Sequence, residues 1–544
     1  MKTNRRHFLV GMGALIFMTG STGRSLALSG TVDGVRYGML HDETRCIGCT
    51  ACMDACREVN HVPAGVSRLS IIRSQPIGEF PAVKYQFYRH SCQHCDHAPC
   101  VDVCPTGASY RDKATGIIDV NPDLCVGCQY CIAACPYRVR FIHPVTKTAD
   151  KCDFCRKTNL KQGKQPACVL SCPTKALVFG NLDDPNSELV KLLHQRTVYR
   201  AKLHLGTQPK LVPCAFSVWG DNRMSAQANT PFHFESLVWD WPIAIYLFLI
   251  GVSAGMVVVS LLVKRQVLGE EAAQSGLLKS TAIIAPLAVI CGLLILILHL
   301  TRPWTFWKLM FFYSTSSVMS LGVMLFQLYM GVLLLWLAVI FRHWIAAQLQ
   351  PYPKLSWVST LLNKIAPIEC KLEPFMLFLA VALGAYTGFL LSALKSYPLL
   401  NNPVLPVLFL FSGVSSGIAA MVLCAVAVFK EPIDSPALAF IHRLEKPVVW
   451  LELFLLLAFF TGLWFGGGQK EVAVAVALGS GFWAAMFWVG VVGCGMVLPL
   501  ALNRYCSHHL RHRISFLLTV SGMSLFGVFV LRFFILYAGQ MTVA

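Results

Sequence analysis

Charge is what this sequence has least of. Asp, Glu, Lys and Arg make up 14% of 544 residues, and only 28 of them are acidic. A chain so poor in charge and 55% hydrophobic cannot present a water-soluble surface along its whole length. No C-x-x-C-H occurs, which excludes a covalently attached c-type haem. Apolar runs of about 20 residues, the length that spans a bilayer, are missing before residue 237 and dominate after it. The chain therefore divides into a polar, cysteine-rich first part and an apolar second part.

The N-terminus reads MKTNRRHFLVGMGALIFMTGSTGRSLA. A basic start, an apolar run from Phe8 to Met18 and a small-residue site at Ser25-Leu26-Ala27 predict a signal segment over 1–27. The alternative is a basic anchor helix, for which the run is short. Arg5 and Arg6, followed by His7, Phe8 and Leu9, resemble the twin-arginine export signal, which carries proteins already folded and loaded with cofactor.

Sixteen of the 22 cysteines fall into four groups: Cys46, Cys49, Cys52, Cys56; Cys92, Cys95, Cys100, Cys104; Cys125, Cys128, Cys131, Cys135; and Cys152, Cys155, Cys168, Cys172. Each has a C-x-x-C pair, a third cysteine further on and a fourth after three intervening residues. Groups one and three match the bacterial ferredoxin run, whose first three sulfurs turn toward one iron–sulfur cube while the fourth serves another cluster. Pro105, Pro136 and Pro173 follow the fourth cysteine in three groups and turn the chain away; Arg57 is the departure in the first. Gly48 and Gly127 let the backbone approach a cluster closely. Disulfides and zinc ribbons are the rival readings, and neither accounts for this spacing repeated four times. His94 and His97 lie among the ligands, but the cysteine count is complete without them, so they are read as hydrogen-bond donors or surface residues. Cys214, Cys291, Cys370, Cys424, Cys494 and Cys506 lack ligand spacing and are read as packing residues.

The net charge of +18 raises nucleic acid as a partner. Residues 31–225 hold 24 Lys and Arg against 17 Asp and Glu, a surplus that four clusters, each carrying about two negative charges with its thiolates, would cancel. The reading is no nucleic acid.

Eight apolar segments are expected near 241–263, 280–300, 318–341, 373–394, 404–429, 447–465, 475–500 and 514–538. With the cysteine part exported, inner loops would hold 13 Lys and Arg, and outer loops only Arg302, Lys308, Lys395 and Lys470, in keeping with the positive-inside rule. IGVSAG at 250–255 is echoed by SGVSSG at 412–417, which suggests two related four-helix bundles packed through small residues. Near the outer edge lie Asp240, Tyr246, His299, Arg302, Tyr386 and Lys395, the kind of groups a quinol needs to surrender two electrons and two protons. Each has a blander reading, an interfacial tyrosine or a snorkelling cation. His442, Glu445, Glu452 and Arg532 are read as structural ion pairs rather than a proton path.

RYGMLHDETRCIGCTACMDACREVN, CVGCQYCIAACPYRVRFIHPVTKTADKCDFCRKTNL and NLDDPNSE resemble the NrfC-type four-cluster ferredoxins of formate-dependent nitrite reduction. FHFESLVWDWPIAIYLFLIGVSAG, HLTRPWTFWKLM, GAYTGFLLSALKSYPLLNNPVLPVLF and LRFFILYAGQMTVA resemble the NrfD membrane proteins of the polysulfide-reductase family. The resemblance implies two normally separate polypeptides fused: a signal segment over 1–27, an α+β double 2×(4Fe-4S) ferredoxin-like domain over 28–213, a linker over 214–236 and an eight-helix all-α membrane domain over 237–544. It implies crossed ligand sets: Cys46, Cys49, Cys52 with Cys172; Cys152, Cys155, Cys168 with Cys56; Cys92, Cys95, Cys100 with Cys135; and Cys125, Cys128, Cys131 with Cys104. It implies a menaquinol dehydrogenase of the bacterial inner membrane, multi-pass, its iron–sulfur domain periplasmic. Electrons would pass through four 4Fe-4S clusters to a periplasmic multihaem cytochrome and on to cytochrome c nitrite reductase, which makes ammonia. Asp240, His299 and Tyr386 would act on the quinol, and Tyr246, Arg302 and Lys395 would bind it. The alternative is the electron-transfer and anchor subunit of a molybdopterin oxidoreductase of polysulfide, thiosulfate or tetrathionate type. A reading from another class is a transporter with a metal-stabilised domain.

Overall fold

The computed structural model describes residues 34–214, 237–351, 356–511 and 513–542. The expected signal segment, and the expected linker apart from Cys214, lie outside these residues.

In the first domain every cysteine group folds alike. The residue before the second cysteine takes a positive φ each time: 75° at Gly48, 45° at His94, 72° at Gly127 and 54° at Phe154. The third cysteine is then the second residue of a short helix: α1 (Ala51–Val59), α2 (Pro99–Asp102), α3 (Tyr130–Ala133) and α4 (Ala167–Leu170). The fourth follows four residues later, one helical turn on. Three of these helices stop within four residues because proline lies just ahead, whereas α1 runs for nine because Arg57 replaces it.

Strands β1 (Tyr37–Asp42), β8 (Leu177–Asn181) and β9 (Leu211–Cys214) form one sheet in the order β8-β1-β9, and helix α5 (Glu188–Gln195) packs against β8 and β1. β1 runs antiparallel to β8, with Tyr37 opposite Asn181, and parallel to β9, with Met39 opposite Leu211. The sheet ties the two ends of the domain together and so brings the first and fourth cysteine groups close. Hairpins β2 (Leu69–Arg73) with β3 (Phe87–Ser91), β4 (Ser109–Arg111) with β5 (Ile118–Val120), and β6 (Phe141–Ile142) with β7 (Ala149–Asp150) separate the groups. The domain continues through Cys214, one residue past the expected boundary, because that residue pairs with Asp42 inside the sheet.

The second domain has eight helices long and apolar enough to cross a membrane. They are α6 (Trp241–Val263), α7 (Gly276–His299), α9 (Val318–Ile340), α10 (Glu369–Ser392), α11 (Leu405–Ala427), α12 (Pro436–Phe465), α13 (Phe482–Tyr505) and α14 (Ile514–Gln540); a short helix α8 (Trp307–Phe311) lies between α7 and α9. Two boundaries differ from expectation. α12 starts at Pro436, capped by Ser435, and carries its polar first turns beyond the apolar stretch, with Pro447 inside it. α13 starts only at Phe482, because Gly481, at φ 94°, breaks it from the preceding helix, Gln469–Leu478.

The echoed stretches meet face to face. A Cβ on Gly255 would collide with the Gly413 carbonyl, and one on Gly417 with the Gly255 backbone, so α6 and α11 cross at van der Waals distance. Pairings repeat across this crossing: α6 touches α7 as α11 touches α12, α9 touches α10 as α13 touches α14, and α10 touches α6 as α14 touches α11. Arg532 is fully buried beside this seam, donates to the Phe409 carbonyl at 3.0 Å and lies 3.7 Å over the Phe409 ring. His442 meets Glu445 at 3.5 Å, and Glu452 is buried near Arg532.

Candidate functional site

The two domains meet where the third cysteine group rests on one end of the membrane helices. The segment between α7 and α9 grips the loop that carries Cys125 and Cys128. The Thr301 amide donates to the Gly127 carbonyl at 3.3 Å and its Oγ1 to the Lys147 carbonyl at 2.7 Å, and Arg302 Nη1 donates to the carbonyls of Pro122 at 2.9 Å and Cys125 at 3.0 Å. Lys308 donates to the Asp123 carbonyl, Ser317 to the Val103 carbonyl at 2.7 Å and Ser396 to the Ala133 carbonyl. From the other side Tyr130, next to Cys131, reaches down to the Leu390 carbonyl at 2.9 Å and packs its ring 5.1 Å from Trp239. A Cβ on Gly127 would strike the Thr301 hydroxyl, so glycine there answers both the positive φ and the domain contact.

Beneath this contact is a cavity of about 570 Å³ lined by Cys128, Trp239, Tyr246, His299, Tyr386 and apolar side chains of α7 to α10. Its apolar walls with a few polar groups suit a small organic ligand. His299 Nε2 is buried there without a hydrogen-bond partner, and the Tyr246 hydroxyl faces the hydroxyl of Tyr386. Phe326 packs beside both tyrosines, 6.1 Å from Tyr246 and 5.6 Å from Tyr386 between ring centres, and Gly322 leaves room for the Tyr386 ring. His299 Nδ1 lies 3.5 Å from the Asp240 carboxylate, whose side chain is half exposed. Asp240 is held in place because Gln540, at the end of α14, accepts from the amides of Val238 and Trp239 and donates to the Trp239 carbonyl.

The structure thus brings together Tyr246, His299 and Tyr386, with Asp240 behind His299. Arg302 and Lys395 do not line the cavity. Arg302 is spent on the cysteine loop, and Lys395 is exposed near Asp102. Neither cation had a sequence signal for its partner, because that partner is backbone or lies on the other domain.

The cysteines gather in crossed sets. Cys125, Cys128 and Cys131 share a cavity of about 360 Å³ with Cys104, and Cys46, Cys49 and Cys52 share one of about 310 Å³ with Cys172. Cys95 neighbours Cys92, Cys100 and Cys135, while Cys56 neighbours Cys155 and Cys168, and Cys152 neighbours Cys56 and Cys168. Among the described residues no three His, Cys, Asp or Glu side chains converge on one point as a mononuclear zinc site requires. The thiols stand around spaces instead, as a cube of iron and sulfide needs. Burial pushes the Cys52 thiol up to about 11 and the Cys56 thiol up to about 12, so metal has to draw off their protons.

Two fully buried guanidiniums fit the same centres. Arg89 Nη1 and Nη2 and Arg140 Nη1 have no oxygen or nitrogen partner, and the guanidiniums face cysteines, Arg89 toward Cys168 and Arg140 toward Cys131. His94 is buried rather than on the surface; its Nδ1 accepts from the Ile118 amide at 3.2 Å, and its ring stacks 3.8 Å from Phe154. Burial, then nearby Lys151 and Lys210, hold this imidazole well below its usual pKa, and burial, then Arg89, lower His41 beside the Cys46 cavity to about 4. Both rings are neutral at ordinary pH.

Residues 229–544 match the family described as polysulphide reductase, NrfD, and residues 83–182 match the 4Fe-4S dicluster domain. Protein NrfC of Escherichia coli K12 is 74% identical over 216 residues, 40% of this chain and 97% of that protein. Protein NrfD of the same organism is 58% identical over 318 residues, 58% of this chain and 99% of that protein. A polysulfide reductase subunit of Wolinella succinogenes is 41% identical over 307 residues, 56% of this chain and 96% of that protein. The two halves of this chain therefore correspond to two separate relatives.

Proposed function

The chain belongs to the NrfD polysulphide reductase family, with a 4Fe-4S ferredoxin-like domain of NrfC type joined ahead of it, and we propose that it is a menaquinol dehydrogenase. The observation that carries this reading is one cavity lined at once by Cys128 and by Tyr246, His299 and Tyr386. The quinol head binds there, with the Tyr246 and Tyr386 hydroxyls and His299 Nε2 as partners for its two oxygens. As the quinol loses two electrons and two protons, the protons leave one after the other by the same route: each time His299 Nε2 accepts a proton, Nδ1 passes one to Asp240, and the half-exposed carboxylate releases it to water before the next. The sixteen cysteines hold four 4Fe-4S clusters in the crossed sets, which when bound carry single electrons from the cavity toward the far cysteine set. Cys49 and Ile47 are exposed at that far end, where an acceptor makes contact.

That acceptor is a periplasmic multihaem cytochrome that serves nitrite reduction to ammonia, a reading supported by the resemblance of the two halves to NrfC and NrfD. The protein lies in the bacterial inner membrane with its iron–sulfur domain in the periplasm. Arg302 and Lys308 of the four expected outer cations bind that domain, and the richer basic loops are at the other end. Similarity to the polysulfide reductase subunit favours a second reading, in which the far end meets a molybdopterin subunit. Haem absorbance against molybdenum content of the copurified partner separates the two.

The central test is Tyr386→Phe. Loss of one hydrogen bond to the reacting oxygen should slow oxidation of a menaquinol analogue about tenfold. The electron paramagnetic resonance signals after dithionite reduction should stay intact. Unchanged turnover would remove Tyr386 from the site.

A further inference from the structure

Most arginines of the first domain that meet a charge meet aspartate. Arg68 pairs with Asp150 at 2.9 Å, Arg111 with Asp96 at 3.0 Å and Arg156 with Asp112 at 2.7 Å, all partly exposed. Arg89 and Arg140 differ. Both are buried, and each has one side-chain hydrogen bond to a hydroxyl: Arg89 Nε to Ser91 Oγ and Arg140 Nη2 to Ser109 Oγ, both at 2.9 Å. The remaining nitrogens, Nη1 and Nη2 of Arg89 and Nη1 of Arg140, are sealed from solvent with no oxygen or nitrogen partner, and the guanidiniums face sulfur instead, Cys168 at Arg89 and Cys131 at Arg140. A buried guanidinium left so is costly unless anions surround it.

Their surroundings divide the cysteines in two. Arg140 lines the Cys104–Cys125–Cys128–Cys131 cavity and also neighbours Cys92, Cys100 and Cys135. It therefore stands between the two membrane-side sets. Arg89 neighbours Cys52, Cys152 and Cys168, and so stands between the two far sets. Between the halves lies the stack of His94 on Phe154, each the positive-φ residue of its own C-x-x-C turn.

We propose that Arg140 and Arg89 are positioning residues that set the redox potentials of the clusters in two pairs, Arg140 for the membrane-side pair and Arg89 for the far pair. This rests on the four-cluster reading above. A cluster that gains one electron becomes more negative, and a permanent cation in a dry interior stabilises that reduced form, raising the potential. The cysteines nearest each arginine belong to one pair of sets, so its influence is strongest in one half. The path is thus two arginine-centred pairs joined by an uncharged aromatic contact.

The test uses the full-length protein with Arg140→Gln, Arg140→Lys, Arg89→Gln and Arg89→Lys, read by iron content and by redox titration of the electron paramagnetic resonance signals. The parent protein should hold roughly sixteen irons, four for each set of four cysteines; a markedly lower parent value would sink the four-cluster reading itself, independently of the arginines. With iron retained, Arg140→Gln should move two signals to lower potential and Arg89→Gln the other two, while each lysine variant stays nearer the parent. Loss of only two clusters in a glutamine variant would also support the pairing. The proposal is overturned if a fully loaded glutamine variant leaves every potential unchanged, if both variants move all four signals alike, or if the lysine variants lose all iron as well.

Discussion

The first and third cysteine groups share one spacing, C-x2-C-x2-C-x3-C, and end in opposite surroundings. The third is pressed against the membrane domain. Thr301 and Arg302 hold its loop, Cys128 forms a wall of the cavity beneath, and Tyr130 is anchored to α10. The first faces outward, with Cys49 exposed and Ile47 61% exposed. Even their glycines answer different neighbours, since a Cβ on Gly127 meets Thr301 of the other domain and one on Gly48 meets the Phe87 ring of its own. The same motif builds the same turn, and the packing around each turn sets one against the membrane-domain cavity and leaves the other exposed.

The largest expected effect separates these two ends. Cys128→Ala should abolish reduction of the remaining clusters by a menaquinol analogue while dithionite still reduces them. Cys49→Ala should leave quinol-driven reduction of the remaining clusters in place and stop delivery to an added cytochrome acceptor. If both variants fail at the same step, the distinction between receiving and delivering ends is broken. Next in size, His299→Leu removes the proton acceptor of the cavity and should lower the turnover of quinol oxidation about 100-fold, with dithionite-reduced signals unaltered. A drop confined to quinol affinity would instead make His299 a binding group. The smallest effect sharpens the domain contact: Arg302→Ala loses the bonds to the Pro122 and Cys125 carbonyls, part of them solvent-screened. It should destabilise the joined domains by about 1–2 kcal/mol, read as a lower melting temperature in detergent and faster proteolysis at Asn121–Cys128. An unchanged melting profile would show that Arg302 is not a clamp.

Much of the architecture was legible before any fold was known. The four groups, the eight apolar helices and the echo of small residues at 250–255 and 412–417 followed from local spacing, whereas the meeting of the two echoed stretches came only from the fold. Tyr246, His299, Tyr386 and Asp240 were found as polar groups in apolar sequence, where such groups are expensive and rarely idle. Arg302 and Lys395 carried the same signal and went elsewhere, because a long cation reaches whichever carbonyl or carboxylate the neighbouring domain offers. Tyr130, Ser317 and Thr301 gave no signal at all, since a hydroxyl that bonds a carbonyl over 150 residues away looks like any other hydroxyl.

Arg89 and Arg140 mark the limit most clearly. One lies three residues before Cys92 and the other five after Cys135, so no shared offset betrays a common role.

What the sequence determined by itself is short-range. Cysteines spaced within a single turn must present their sulfurs together, proline must end the helix behind them, and twenty or so apolar residues must seek lipid or a dry interior. The tertiary structure alone decided which set faces the membrane-domain cavity and which buried arginine stands beside which pair. Those contacts join residues far apart in the sequence, and they form only when strands from both ends of the first domain share a sheet and that domain settles on the helices below.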